Sequence, residues 1–219
     1  MKSKINLLVH FFFVIILASL LSAGCKKENT PITVTDIVGN LYQTVTIGSQ
    51  VWMAENLKTT EFYDGSPIAN LTNPNDWVSS HNPAYCWYDN DETNNKPLYG
   101  ALYNFEAIKY GKLCPTGWHI PDDSEWTTLI TYLGGDSLSA VKLKSTNIQP
   151  WAYNATNESG FSALPGGYRW GSFYNLTYGG FWWSSSSTSS LNSFLQLFQK
   201  STMVAYNNGY GFSVRCIKD

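Results

Sequence analysis

The block CPTGWHIPDDSEWTTL, at residues 114–129, constrains the fold most because it specifies a strand, a stop and a helix in succession. Apolar and aromatic residues lead up to Pro121, whose ring fixes φ and removes a donor from a sheet ladder. Asp122 and Glu125 then have the spacing of a capping box, in which both side chains bind backbone N–H groups at a helix start. Hydrophobic residues recur with helical spacing until Gly134. We therefore expect a short strand followed at once by a capped helix.

Charge and length exclude some classes of function. The formal net charge is -2, and no basic run could hold a nucleic acid backbone. We therefore expect no nucleic acid partner. Residues 36–219 suffice for one well-buried domain, since domains usually span about 100–200 residues.

The N-terminus has the pattern of a signal peptide, predicted at residues 1–24. A basic start precedes an apolar run at residues 7–21, which is shorter than the ~20 residues that span a bilayer. The sequence LSAGC that ends at Cys25 resembles the lipobox of bacterial lipoproteins, in which the cysteine takes a diacylglyceryl group. Ser22 leaves ordinary secretion, with cleavage near Ala23, as the alternative.

Lipidation at Cys25 implies a partner membrane and a place in the bacterial cell envelope, at the outer membrane or cell surface. The sequence leaves open which membrane and which face carry the protein. Residues 25–35 are polar and contain Pro31, so they are predicted to form a flexible tether.

The remaining chain has helices early and strands late, the order of an α+β fold. A hairpin is predicted at residues 41–54 and a long polar loop at 61–95. Besides the helix after Pro121, residues 99–110 have a moderate helical pattern, and residues 139–144 suggest a short third helix. Short extended runs separated by glycine, asparagine and serine follow from Phe161 onward.

Seven blocks in order resemble the Fibrobacter succinogenes major paralogous domain, a family of secreted and lipid-anchored bacterial proteins. Coverage runs from about Asp36 to the C-terminus. The blocks are VWMAENLKT at 51–59, AYCWYDND at 84–91, YGALYNF at 99–105, the block at 114–129, NESGFSALPGGYR at 157–169, FWWSSS at 181–186 and GFSVRCIKD at 211–219.

That family is similar to the C-type lectin-like and formylglycine-generating-enzyme folds. The resemblance implies two helices flanking a twisted antiparallel sheet with long loops, a sulfatase-modifying-factor-like architecture. It does not carry the activity over, because Cys216 stands alone where those enzymes need a close pair of late cysteines. The Glu-Pro-Asn or Gln-Pro-Asp and Trp-Asn-Asp motifs of calcium-dependent lectins are also missing from the sequence.

The three cysteines after Cys25 permit one disulfide and one free thiol in an oxidising compartment. Related folds tie their ends together, and this resemblance favours a Cys114–Cys216 bridge. A Cys86–Cys114 bridge is the alternative. A Cys114–Cys216 bridge leaves Cys86, flanked by Tyr85 and Trp87, with no nearby His or Lys in sequence that would lower its pKa.

Charged residues offer few candidates for chemistry. Asp89 and Asp91 lie in a loop rich in the hard oxygen donors that calcium favours, which makes them candidate calcium ligands, with an Asx-rich turn as the plainer interpretation. No other cofactor is indicated. His119 is interpreted as structural, and Asp122 and Glu125 as helix caps rather than an acid–base pair.

The late half is unusually aromatic, and five of its residues are candidates for ligand binding: Trp151, Trp170, Tyr174, Trp182 and Trp183. Since neighbours on a strand point to opposite faces, we expect Trp182 and Trp183 not to point inward together, so that one of them meets a loop or solvent.

We interpret the protein as a non-catalytic recognition or adhesion module for glycan or protein ligands. The alternatives are an enzyme with an altered formylglycine-generating-like site and a structural component of a surface assembly.

Overall fold

The first sheet pairs the beginning and the end of the part of the chain that the computed structural model describes, residues 33–207 and 209–219. Its strands lie in the order β1, β2, β3, β14, β7. Their bounds are β1 Thr33–Thr35, β2 Leu41–Ile47, β3 Gln50–Met53, β7 Trp118–His119 and β14 Ile217–Lys218. The predicted hairpin is confirmed as β2 and β3. The predicted strand before Pro121 is confirmed as β7, which pairs with β14.

The predicted signal peptide and Cys25 lie outside the described residues, as does most of the predicted tether. The last three tether residues, Thr33–Thr35, form β1 instead. They pair antiparallel with residues 41–43 of β2, and this pairing supplies partners for backbone groups that a tether would leave to water.

The second sheet has six strands in the order β4, β5, β6, β13, β8, β9, and the third has β10, β11 and β12. All pairs are antiparallel except β4 with β5. The bounds in the second sheet are β4 Ala69–Asn70, β5 Ala84–Cys86, β6 Leu102–Asn104, β8 Gly166–Trp170, β9 Ser172–Leu176 and β13 Gly211–Phe212. Those in the third are β10 Gly180–Ser187, β11 Asn192–Leu197 and β12 Ser201–Tyr206.

The described residues contain five α-helices, so the expectation of two helices is wrong, although the α+β class is confirmed. The helices are α1 Pro74–Ser79, α2 Glu92–Tyr99, α3 Phe105–Lys109, α4 Asp123–Tyr132 and α5 Asp136–Leu143. None of them is long and apolar enough to cross a membrane.

The extra helices lie where the sequence predicted loop. Asn73 caps α1 through its side chain, which accepts from the backbone N–H groups of Asn75 and Asp76. Asp91 caps α2 in the same way through the N–H of Asn94. Asn and Asp favour both turns and helix N-caps, so a polar stretch predicted as loop begins two helices. The helix predicted at 99–110 is also wrong in part, because β6 occupies its centre and only α3 remains.

Helix α4 is confirmed with its predicted cap. The Asp122 carboxylate accepts from the Glu125 N–H at 2.8 Å, and the Glu125 carboxylate accepts from the Asp122 N–H at 2.9 Å. The predicted third helix is confirmed as α5, which starts earlier than expected at Asp136.

Strand β10 separates two large hydrophobic clusters. Trp183 packs in one with Phe105 and Phe212, and Trp182 packs in the other with Phe161. The two side chains do point to opposite faces, but both faces are covered, and each residue is at most 1% exposed. The expectation that one of them meets solvent or a loop is therefore wrong.

A disulfide joins Cys114 to Cys216 across 102 residues, as the resemblance implied. It ties the segment before β7 to the segment before β14. Cys86 is free and buried, and burial raises the pKa of its thiol to about 11, which is unfavourable for a reactive cysteine.

A candidate ligand cleft beside helix α5

A cleft of about 960 Å³ opens between α5 with its following loop on one side and strands β11 and β12 on the other. A third part of its wall comes from the turn after β9. The lining residues are Val141, Lys144, Pro150, Trp151, Tyr153, Asn154, Asn175, Tyr178, Gln196, Phe198, Gln199, Lys200 and Thr202. This volume is within the usual range for small-molecule sites, about 300–1,000 Å³.

Two tyrosine rings project at the rim of the cleft. Tyr153 is 74% exposed and Tyr178 is 64% exposed. Left-handed backbone conformations lie close to both, at Asn154 with φ 58° and at Thr177 with φ 65°. Such conformations are uncommon for residues other than glycine, and asparagine tolerates them best. Each ring is therefore carried by a turn of defined geometry.

Trp151 contributes to the floor of the cleft rather than to its rim. It is 2% exposed, and its indole N–H donates to the Ala163 carbonyl at 2.9 Å. The loop that carries it is bonded to α5, because the Thr156 N–H donates to the Val141 carbonyl at 2.9 Å. Trp151 therefore offers a ligand little accessible surface, and its indole N–H already has a partner.

Lys144 lies next to this floor, immediately after α5. Its residue is 8% exposed, and its ammonium nitrogen is 4.8 Å from the centre of the Trp151 ring. Burial lowers the pKa of the amine. A second cation, Lys200, stands exposed on the opposite wall. The described residues that line the cleft include amides on both sides but no carboxylate.

An aromatic strip adjoins the cleft along β8, β9 and the segment before β13. The Tyr168 ring stacks on Tyr174 with centres 5.3 Å apart, and the Tyr210 ring stacks on Trp170 with centres 6.3 Å apart. A smaller depression of about 130 Å³ in this strip shares three residues with the cleft: Asn175, Gln196 and Phe198. The strip and the cleft therefore form one continuous surface.

In a comparison with protein-family models, residues 45–218 match the Fibrobacter succinogenes major domain. The chain belongs to the Fibrobacter succinogenes major domain family. The match contains every residue that lines the cleft. No curated protein and no solved structure matched the chain.

The five aromatic candidates do not form one site in this family member. Trp151 lies in the cleft floor, and Trp170 and Tyr174 lie on the aromatic strip with 50% and 40% exposure. Trp182 and Trp183 are in the core, where their indole N–H groups donate to Asn56 and Tyr103.

Of the thirteen residues that line the cleft, sequence reasoning selected only Trp151 as a ligand-binding candidate, and Tyr153, Lys144 and Gln196 are among those it missed. The only sequence signal for Tyr153 was its place in a polar loop beside Trp151. Gln196 alternates with buried Leu195 and Leu197 on β11, a period-2 pattern that points it away from the core. Nothing local distinguishes Lys144 from the other lysines.

Of the two aspartates proposed as calcium ligands, Asp91 caps helix α2 and Asp89 is exposed. The Asp91 carboxylate accepts from the N–H of Asn94 at 3.0 Å and from the Asn94 amide nitrogen at 2.6 Å. Asp89 is exposed in the short 3-10 turn before it. Within residues 33–207 and 209–219, no group of three or more His, Cys, Asp or Glu side chains could hold a metal ion.

His119 is not among the residues that line the cleft, and it contacts the cap of α4. Its Nδ1 lies 2.6 Å from an Asp219 carboxylate oxygen, and its Nε2 lies 2.9 Å from Glu125 Oε1. These contacts join β7, the cap of α4 and the last residue of the chain, which supports the structural interpretation of this histidine.

Proposed function

We propose that this domain is a non-catalytic recognition or adhesion module that binds a glycan in the cleft beside α5. The observation that carries the proposal is the pairing of two exposed tyrosine rings, Tyr153 and Tyr178, with amide side chains in one open cleft. The aromatic strip with Trp170 and Tyr174 extends the same surface for a longer ligand.

The chemistry of this lining suits a sugar. The C–H face of a pyranose ring is apolar and packs on an aromatic ring, which buries area at little cost in side-chain entropy. Amide groups such as Gln196 and Asn175 can donate and accept at once, and they match the paired hydroxyl groups of a saccharide. Because the rings are already exposed and held by turns, binding requires little ordering of the protein.

The same lining favours binding over catalysis. Glycoside hydrolysis commonly uses two carboxyl groups on opposite sides of the bond that breaks, and no carboxylate is among the cleft residues in the described part of the chain. Histidine, cysteine and serine are likewise missing from that lining. An enzyme with an altered formylglycine-generating-like site therefore has less support than a binding module.

The wider setting of the module is part of the proposal. We infer lipid attachment at Cys25 and a position in the bacterial cell envelope, at the outer membrane or cell surface, where extracellular glycans are accessible. We also infer that the α+β domain is C-type lectin-like, with α4 and its preceding strand as the block that relates it to that fold. A protein ligand, or a place in a surface assembly, is the alternative outcome of the test.

The test is a glycan array probed with the mature domain, followed by calorimetry on the best ligand with Tyr178→Ala and Tyr153→Ala. Each variant should weaken binding by about tenfold or more, the effect of losing a ring contact of roughly 1.5 kcal/mol. Tyr132→Ala is the matched control, because Tyr132 is 65% exposed on α4 and does not line the cleft.

An empty array together with a recovered protein complex would replace the glycan with a protein ligand. Equal affinity of the three variants and the parent for a bound glycan would show that the cleft is not its site.

A further inference from the structure

Lys144 is held in place by backbone and packing rather than by a counter-ion. Its N–H donates to the Ala140 carbonyl at the end of α5, and it forms an isolated bridge with Ala163. The side chain then extends along the Trp151 ring to the cleft. Its residue is 8% exposed, so most of the aliphatic stem is covered.

The other lysines of the described chain show how unusual this is. Five of them lie within 4.0 Å of a carboxylate: Lys58, Lys96, Lys109, Lys112 and Lys142. Lys144, Lys200 and Lys218 have no carboxylate at that distance among residues 33–207 and 209–219, and of these three only Lys144 is buried. Its neighbour Lys142, in the last turn of α5, lies 3.9 Å from the Glu158 carboxylate.

Burying a cation without a partner costs free energy, so such groups are normally paired or lose their proton. The direction of the Lys144 pKa, lowered by burial alone, agrees with the lack of a nearby acid. Contact with the face of an indole offsets part of this unfavourable free energy. An anion bound in the cleft would stabilise the Lys144 ammonium further, since a charge-assisted hydrogen bond is about twice as strong as a neutral one.

We propose that the cleft binds an acidic saccharide, whose anionic group pairs with Lys144 while a sugar ring packs on Tyr153 or Tyr178. The inference rests on the proposed function and names the class of glycan. The anionic group is a carboxylate or a sulfate, and both present oxygens to an ammonium donor. Lys200, exposed on the other wall, adds positive potential at the entrance and favours the approach of such a ligand.

The experiment measures affinity for matched pairs of oligosaccharides by calorimetry. Oligogalacturonate is compared with its methyl ester, and a sulfated galactan oligosaccharide with its desulfated form. One acidic ligand should bind about tenfold or more tightly than its neutral partner, as expected for one charge-assisted contact in a partly desolvated site. This preference for the acidic ligand over its neutral partner should weaken as the salt concentration is raised. The pair of ligands that shows the preference identifies the anionic group as a carboxylate or a sulfate.

Variants then locate the preference. Lys144→Met should abolish it, so that the acidic and neutral ligands bind the variant with equal affinity, and Lys144→Arg should retain it because the charge is kept. Lys142→Met is the control, since Lys142 lies two residues before Lys144 in the last turn of α5 and outside the cleft lining. Thermal denaturation of each variant verifies folding.

Outcomes separate this inference from the proposed function. If neutral and acidic ligands bind equally well and Tyr178→Ala weakens both, the glycan cleft stands and the acidic class is overturned. If Lys144→Met keeps the preference while folded, the role of Lys144 is overturned. If no saccharide binds, both proposals fail.

Discussion

His119 shows how a single residue can make stability depend on pH. Burial of its ring lowers the pKa, but the contacts with Asp219 and Glu125 outweigh that effect, so the pKa of His119 is raised. When the ring is protonated, both nitrogens donate to carboxylates. The charged form therefore stabilises the fold, although the side chain is 43% exposed and solvent screens the pair.

The sign of the pH effect follows from the raised pKa. The stabilisation is fully present below the unfolded pKa of about 6.5 and is lost as pH rises through the higher folded value. We expect His119→Gln to lower stability by less than about 1 kcal/mol at pH 5 and to have a smaller effect at pH 9. Urea denaturation at several pH values measures this, with the exposed His81→Gln variant as control. A larger loss at pH 9 than at pH 5 would contradict the assignment.

At the scale of elements, Arg169 joins the β4–α1 connection to the hairpin of β8 and β9. Its guanidinium donates to the carbonyls of Leu71 at 2.5 Å and Thr72 at 2.8 Å, and to Gly171 at 3.2 Å. It lies between the Trp77 and Phe173 rings, at 4.5 and 4.9 Å from their centres. These hydrogen bonds from the buried guanidinium fix the hairpin that carries the exposed Trp170 and Tyr174 against the β4–α1 connection.

Replacing Arg169 should therefore affect both stability and the aromatic strip. Arg169→Met leaves three carbonyls without their donor and should cost about 2–4 kcal/mol in the free energy of unfolding. Arg169→Lys keeps the charge but cannot reach three acceptors in a plane, so it should rescue only part of the loss. Chemical denaturation gives the values. Full rescue by lysine would show that charge alone, rather than the planar fork, matters here.

At the scale of the whole molecule, contacts join segments of the described residues that are distant in sequence. Strand β14 pairs with β3 and with β7, and the disulfide joins the segments that precede β7 and β14. In the unfolded chain this bridge closes a loop of about 102 residues. Such a constraint lowers the entropy of the unfolded state.

Removing the bridge with Cys114→Ser and Cys216→Ser together should reduce stability by about 4–5 kcal/mol in the chain-entropy view. Reducing agent should lower the melting temperature of the parent protein and leave that of the double variant unchanged. Cys86→Ala keeps the bridge and serves as the control, and its melting temperature should still respond to reductant. Insensitivity of the parent protein to complete reduction would contradict a stabilising role.

The sequence alone determined the features that depend on neighbouring residues. The capping box of Asp122 and Glu125 and the β2–β3 hairpin follow from spacings of a few residues, and local chemistry is sufficient for both. The same local view misjudged the segments capped by Asn73 and Asp91, since these side chains suit turns and helix starts equally. It also placed β6 inside a helix, because a short apolar run fits either period.

Only the tertiary structure decided what is buried and what forms the cleft. Alternation put Trp182 and Trp183 on opposite faces of β10, but it could not tell that both faces would be covered by clusters drawn from the whole chain. The cleft likewise needs α5, the turn after β9 and the β11–β12 hairpin in one place, and Lys144 became distinctive only there. Burial is set by which distant segments pack together, and that information lies in long-range pairing rather than in any local pattern of residues.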